Sequence, residues 1–286
     1  MASMRDIKRR KSSISSTQQI TKAMKLVSTV KLQKAKTRAE QTDPYFRYMY
    51  KTVSSILAKS GNISHPYLTP GDSDRKAVVV LTSNRGLAGG YNTNVVKLIT
   101  NGDFNKDELD IYAVGGKGQE LLASKGYNIV ESAPEVMENP TYSDAAELCN
   151  KVLESFSNGE VGEIYLAYTH FKNTVTQEAQ LIKLLPVEID DEEEDDSDDA
   201  SVLMNYEPNE EEALDMIIPK YVTSLFYGAL VESHASENGA RMQAMDSATS
   251  NAEEMISDLT LKYNRARQGS ITQELTEIIA GANAIS

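Results

Sequence analysis

The chain has no tryptophan, one cysteine and three histidines in 286 residues. A single thiol, Cys149, excludes an internal disulfide and fits a reducing compartment. His65, His170 and His234 are too scattered for a metal-ligand spacing, and each reads as a loop or surface residue. No Ser/His/Asp or Cys/His arrangement supports a nucleophilic site. No apolar run approaches the roughly 20 residues that cross a bilayer, so any membrane link must run through a partner. Glycine is missing from the first sixty residues, and proline is missing after Pro219. Phenylalanine is scarce while Ala, Ser and Met are used freely, which favours slender helix pairs over one thick aromatic core.

What is present is strongly asymmetric. Residues 1–51 hold 13 Lys and Arg against three acids, a net +10, and the remaining chain is therefore −23. A basic N-terminal helix points to an acidic partner: nucleic acid, anionic lipid or an acidic protein surface. Residues 1–16 lack the apolar stretch of a secretory signal and run unbroken into the helical pattern beyond, so they read as mature protein. At the other end, Met245, Ala248, Ala252, Met255, Leu259 and Ala266 recur by threes and fours. A seam so narrow suits one helix lying along another.

In order, residues 3–59 form one helical pattern about 80 Å long, with Ile7, Ile14, Ile20, Met24, Val27 and Val30 as its apolar stripe. Pro44 predicts a kink or restart. Residues 60–74 are a loop. Strands are expected over 77–82, 109–114, 127–131, 164–168 and 176–185, the last hairpin-paired through 171–175. Helices are expected over 93–100, 117–125 and from about Asp144 to Ser157, with Asp144 and Glu147 read as a capping box. Of the twelve residues 188–199, ten are Asp or Glu, a composition that repels itself and does not pack. Asn209 then caps a final helix over 110 Å long, bent at Pro219. Two long helices bracketing an α/β unit must pair antiparallel, because one leaves that unit and the other enters from it.

Two glycine turns invite a nucleotide reading. Gly86-Leu87-Ala88-Gly89-Gly90 follows a strand but lacks the G-x-G-x-x-G spacing, and Gly118 stands where a phosphate loop needs Ser or Thr. Both read as structural turns, and no cofactor is expected. Arg265, Arg267 and Gln268 form a collar of planar donors below a largely apolar end.

Four stretches together resemble the gamma subunit family of the bacterial type of F-type rotary ATP synthase. They are Ile20–Ser28, Ser83–Asn92, Ala235–Met245, and Tyr263–Gln268 with Ile271–Ala284. The likeness covers the chain in order from residue 3, so no organelle presequence is expected. It implies an α/β plus long antiparallel coiled-coil fold, with a central Rossmann-like domain and the N- and C-terminal helices forming a shaft. It further implies segments 1–59, 75–187, 188–207 and 208–286: helix, α/β domain, acidic loop, helix. The implied role is a non-catalytic central rotor that couples c-ring rotation to the beta-subunit sites of a proton-translocating ATP synthase and regulates its ATPase activity and proton flow. The implied partners are three alpha and three beta subunits, the epsilon subunit and the membrane c-ring, with one gamma per complex, at the cytoplasmic face of the cell membrane. Met24, Lys25, Arg241, Arg265, Arg267 and Gln268 are the implied beta contacts, and Tyr206 and Glu207 the c-ring contacts. A basic coiled coil that binds nucleic acid is the alternative.

Overall fold

The computed structural model describes residues 4–59, 65–187 and 210–285. The acidic run, Tyr206, Glu207 and the expected Asn209 cap lie outside the described residues. Two compact units are distinguished, one of Thr29–Ala240 and one of Met1–Ser28 with Arg241–Ser286. The helices α1 (Met4–Lys59) and α5 (Glu210–Ile285) contribute residues to both.

Within 29–240 lies a five-stranded sheet: β1 (Lys76–Leu81), β2 (Leu109–Val114), β3 (Asn128–Ser132), β4 (Glu163–Phe171) and β5 (Gln177–Leu185). Its order is β3-β2-β1-β4-β5, parallel except for the β4–β5 hairpin. The β1 run is buried on both faces, as a central parallel strand must be. Val78 and Val80 meet α2 (Tyr91–Thr100) and α3 (Gly116–Ser124) through Val95, Ile99 and Leu122. Val79 and Leu81 face the other side, against α4 (Tyr142–Ser157), α5 and the end of α1. Burying each such aliphatic side chain stabilises the unit by about 1.5–3 kcal/mol. By length and composition α5 could cross a membrane, but 56% of its most apolar window is buried inside the protein, as in a core helix.

Some local expectations shift. The cap of α4 is Thr141, three residues before the expected Asp144. Thr141 Oγ1 accepts the Asp144 N–H at 3.2 Å and donates to Asp144 Oδ2 at 2.6 Å. The helix α2 begins at Tyr91, two residues early, and 3₁₀ turns at Pro66–Leu68, Lys106–Glu108 and Pro134–Met137 were not expected. Pro44 does not restart α1. Contacts on both sides hold the helix through it: Arg38 Nη1 donates to the Pro140 carbonyl at 2.7 Å, and Val53 and Ile56 are buried. Pro219 likewise lies inside α5, between buried Ile218 and Val222. His65 is not a surface residue but is 3% exposed. Its Nδ1 accepts the Tyr67 N–H, and its Nε2 lies 3.1 Å from Asp215 Oδ1.

The other unit is an antiparallel helix pair. Gln18 Nε2 donates to Glu253 Oε1 at 3.0 Å, Thr21 and Thr249 share a 2.8 Å hydroxyl contact, and Lys25 Nζ meets Asp246 at 2.5 Å. On α5 the seam is Met245, Thr249, Ala252, Ile256 and Leu259, so Ile256 replaces the expected Met255, which is exposed. On α1 the seam is Ile7, Ile14, Gln18, Thr21, Met24 and Ser28. Ile20 and Val27, expected in it, are 60% and 58% exposed, and Val30, in the larger unit, is exposed too. Small and polar side chains at Thr21, Ser28, Thr249 and Ala252 let the two backbones approach closely, and Ile20, Val27 and Val30 are left on the outer surface.

Candidate functional site

In the turn at 115–118 three successive amides are taken within the protein. Gly116 N–H donates to Asn84 Oδ1 at 2.9 Å, Lys117 N–H to the Ser83 carbonyl at 3.0 Å and Gly118 N–H to Thr82 Oγ1 at 2.8 Å. Gly115 serves packing: its φ is 110°, and a Cβ there would sit 1.9 Å from the Thr82 carbonyl oxygen. Burial pushes the Cys149 thiol up to about 11, so it is protonated at neutral pH and no nucleophile. Among the described residues no group of three His, Cys, Asp or Glu could hold a metal ion.

The features that could engage a partner lie in the helix pair. The three cross-pairs set a register in which Met4 comes level with Ala266 and Arg267. Burial on α5 agrees: Ala266 and Ser270 are half-buried, whereas every side chain described from Ile271 to Asn283 is exposed. The helix therefore outruns its partner. Exposed Ile271, Leu275, Ile278 and Ile279 recur at spacings of three and four, an apolar stripe with nothing against it among the described residues.

Arg265, Arg267 and Gln268 stand where α1 runs out, all exposed. Arg265 and Arg267 flank the seam residue Ala266 on either side, and Gln268 shares the face of Arg265, three residues on. The structure thus groups these three with the bare end of α5. Met24 and Lys25 are elsewhere on the pair: Met24 is half-buried in the seam, and Lys25 is held by Asp246. Arg241 is half-buried at the other end of this stretch of α5. Tyr206 and Glu207 are not described. Reading the sequence missed the exposed Ile20, Leu26 and Val27 on α1. Hydropathy gave no signal of this, since Ile20 and Val27 belong to the most apolar stripe of α1.

The arrangement offers a bare apolar helix end, a collar of guanidinium groups and an outward row of aliphatics among lysines.

Comparison with known proteins gives a consistent result. A family model described as ATP synthase matches residues 3–285. The chain is similar to the ATP synthase gamma chain of Lachnoclostridium phytofermentans, 66% identical over 291 residues and covering 100% of each chain. It is also similar to the sodium ion specific ATP synthase gamma chain of Acetobacterium woodii, 42% identical over 99% of each. A chain in the Euglena gracilis mitochondrial ATP synthase OSCP/F1/c-ring structure shares the fold, with a TM-score of 0.74 at 20% identity, over 99% of this chain and 94% of that one. The nucleic-acid alternative finds no support among these relatives.

Proposed function

The chain belongs to the ATP synthase gamma-chain family, and from that premise we infer that it is the central-stalk subunit of an ATP synthase. One observation carries the reading most directly: α5 continues past its antiparallel partner as an exposed apolar end with Arg265, Arg267 and Gln268 at its base. Such an end suits a socket, and a ring of three alpha and three beta subunits supplies one. The shaft turns inside that ring, with one gamma chain per complex. Its asymmetry takes each beta site in turn through its binding states for ATP synthesis or hydrolysis.

In this reading the chain makes and breaks no bonds. Met24, Lys25, Arg241, Arg265, Arg267 and Gln268 are contacts with the beta subunits, and Tyr206 and Glu207 are contacts with the c-ring. Segments 1–59 and 208–286 act as the shaft, 75–187 as the α/β body beside the epsilon subunit, and 188–207 as an acidic loop between them. The complex sits at the cytoplasmic face of the bacterial membrane, and this chain reaches the membrane only through its partners. The coupling ion is taken to be the proton, and the geometry of the helix pair is indifferent to that choice.

The test is copurification from gently solubilised membranes. The chain should be recovered with alpha and beta subunits, and ATP hydrolysis should need the complex. Recovery only as a free chain would overturn the reading.

A further inference from the structure

In a doubly wound sheet the ligand crevice lies outside the carboxyl ends of the strands where the winding direction reverses. Here the connections run from β1 outward to β2 and β3, then return across to β4, so the reversal falls between β1 and β4. That crevice is filled by α5. The last registered pair of these strands is Val80 with Ala167, so Thr169 projects past the end of its β1 neighbour. Two serines one helical turn apart on α5 take over. Thr169 N–H donates to Ser233 Oγ at 3.2 Å, and Ser236 Oγ donates to the Thr169 carbonyl at 3.1 Å. The helix thus answers both main-chain groups of a strand residue, as a neighbouring strand would.

Two further contacts converge there. Tyr91, the first residue of α2, donates its hydroxyl to the Ser233 carbonyl at 3.1 Å, and His170 Nδ1 lies 2.7 Å from Glu232 Oε2. Ser233, Ser236 and Thr169 are buried. Gly239, one turn beyond Ser236, also faces the hairpin, where an added Cβ would make ordinary contact with Gln177 and the Phe171 ring. The interlocked side chains of Leu214, Ile218, Val222, Phe226 and Leu230 already resist rotation of α5 about its own axis. Directional hydrogen bonds from Glu232, Ser233 and Ser236 to β4 and α2 add to that resistance, because a turn of the helix breaks all of them at once.

We propose that the crevice a ligand would occupy in a doubly wound enzyme serves here as a torque clamp, with Ser233 and Ser236 as the positioning residues that lock α5 to the α/β body. The torque role rests on the central-stalk reading; the clamp itself does not.

The experiment uses the Ser233→Ala/Ser236→Ala chain, alone and in the assembled ATP synthase. Leaving the buried Thr169 groups without partners should speed hydrogen exchange at Thr169 and at the amides of 232–240 by about tenfold or more, while β2 and β3 change less than about twofold. In the complex, ions pumped per ATP hydrolysed should fall several-fold while hydrolysis stays within about twofold. Tyr91→Phe, which removes one hydroxyl, should move both readouts the same way by less. Unchanged exchange overturns the clamp. Loosened exchange with undiminished pumping per ATP overturns its torque role. Failure of the unaltered chain to copurify with alpha and beta subunits would instead overturn the central-stalk reading, and the exchange result on the isolated chain would still decide the clamp.

Discussion

The two units bury different chemistry. The unit 29–240 packs Leu, Ile, Val and Phe against both faces of a sheet. The helix pair buries Thr21, Ser28, Thr249 and Ala252 and leaves Ile20, Leu26, Val27 and Leu261 outside. The first pattern is that of a body that folds on its own apolar core. The second mixes small and polar residues with Met245 and Leu259 in a thin seam and leaves further aliphatics outside, and it makes sense for a pair whose outer surface is covered in its working state. Isolated helices gain most of their stability from tertiary burial, so a seam this thin leaves the pair dependent on what surrounds it.

If that contrast is right, truncating a core side chain of the α/β unit should have the largest effect on the isolated chain. Leu166 is fully buried between the helices and the sheet, and Leu166→Ala should cost about 2–5 kcal/mol in denaturant unfolding. Gly115→Ala belongs in the same class. It places a Cβ 1.9 Å from a main-chain oxygen at a φ that L-residues rarely adopt, and it should destabilise by about 3 kcal/mol or prevent folding. An equal core cost from a truncation in the outer row of α1, such as Val27→Ala, would erase the contrast between the units.

Acid should weaken the α/β unit next. Burial pushes the Glu163 carboxyl up, but hydrogen bonds from Lys76, Lys183 and Tyr165 more than offset it and hold the group down at about 2. The folded value lies below the unfolded one, so the stabilisation is fully present above pH 4.5 and is lost as pH falls toward 2. Discounted for solvent screening, it amounts to about 1–3 kcal/mol. In urea titrations the stability gap between the unaltered chain and Glu163→Gln should narrow as pH falls below 4.5 and close near pH 2. A gap that stays constant would show that the lysines do not act through the carboxylate charge.

Much of the α/β unit was legible because a buried parallel strand has one apolar signature. The runs around Val78–Leu81 and Ile164–Tyr168 were found as strands, and the β4–β5 hairpin followed from its turn. The long pair was legible as helices but not as a seam. Hydropathy selects the most apolar stripe, and on α1 that stripe, through Ile20 and Val27, faces out. The buried positions of α1 within the pair are Thr21 and Ser28, which composition marks as surface. Arg265, Arg267 and Gln268 were legible as a group because their position near the end of a narrow helix is itself a sequence feature. The α5 anchor on β4 was not legible. Ser233 and Ser236 gain meaning only once the sheet order places Thr169 past the end of β1.

The seam offers a smaller effect. Each threonine of the Thr21–Thr249 pair also donates to, or can donate to, its own helix: Thr21 to the Gln18 carbonyl and Thr249 to the Met245 carbonyl. Single Val substitutions should therefore cost about 0.5–1 kcal/mol and the double substitution less than the sum of the two, a coupling of about 0.5 kcal/mol in a double-mutant cycle. Additive costs would mean that the shared contact contributes nothing to the register.

The smallest effect on the isolated chain should come from the bare end of α5. Arg265 and Arg267 are exposed, and no apolar core depends on them. Arg265→Ala/Arg267→Ala should leave the Tm of the free chain within about 2 °C, since surface substitutions stay within about 0.5 kcal/mol. In the assembled complex the same substitutions remove two guanidinium groups from the proposed beta contact, and coupling of hydrolysis to pumping should drop while the chain still assembles. The tip supplies the apolar counterpart: Leu275→Ala/Ile278→Ala should also be silent in the free chain yet weaken its retention in the complex. Each pair of measurements separates a residue that holds this chain together from one that engages another. Loss of the α/β fold in the arginine double variant would place those side chains in the first class and remove them from the contact surface.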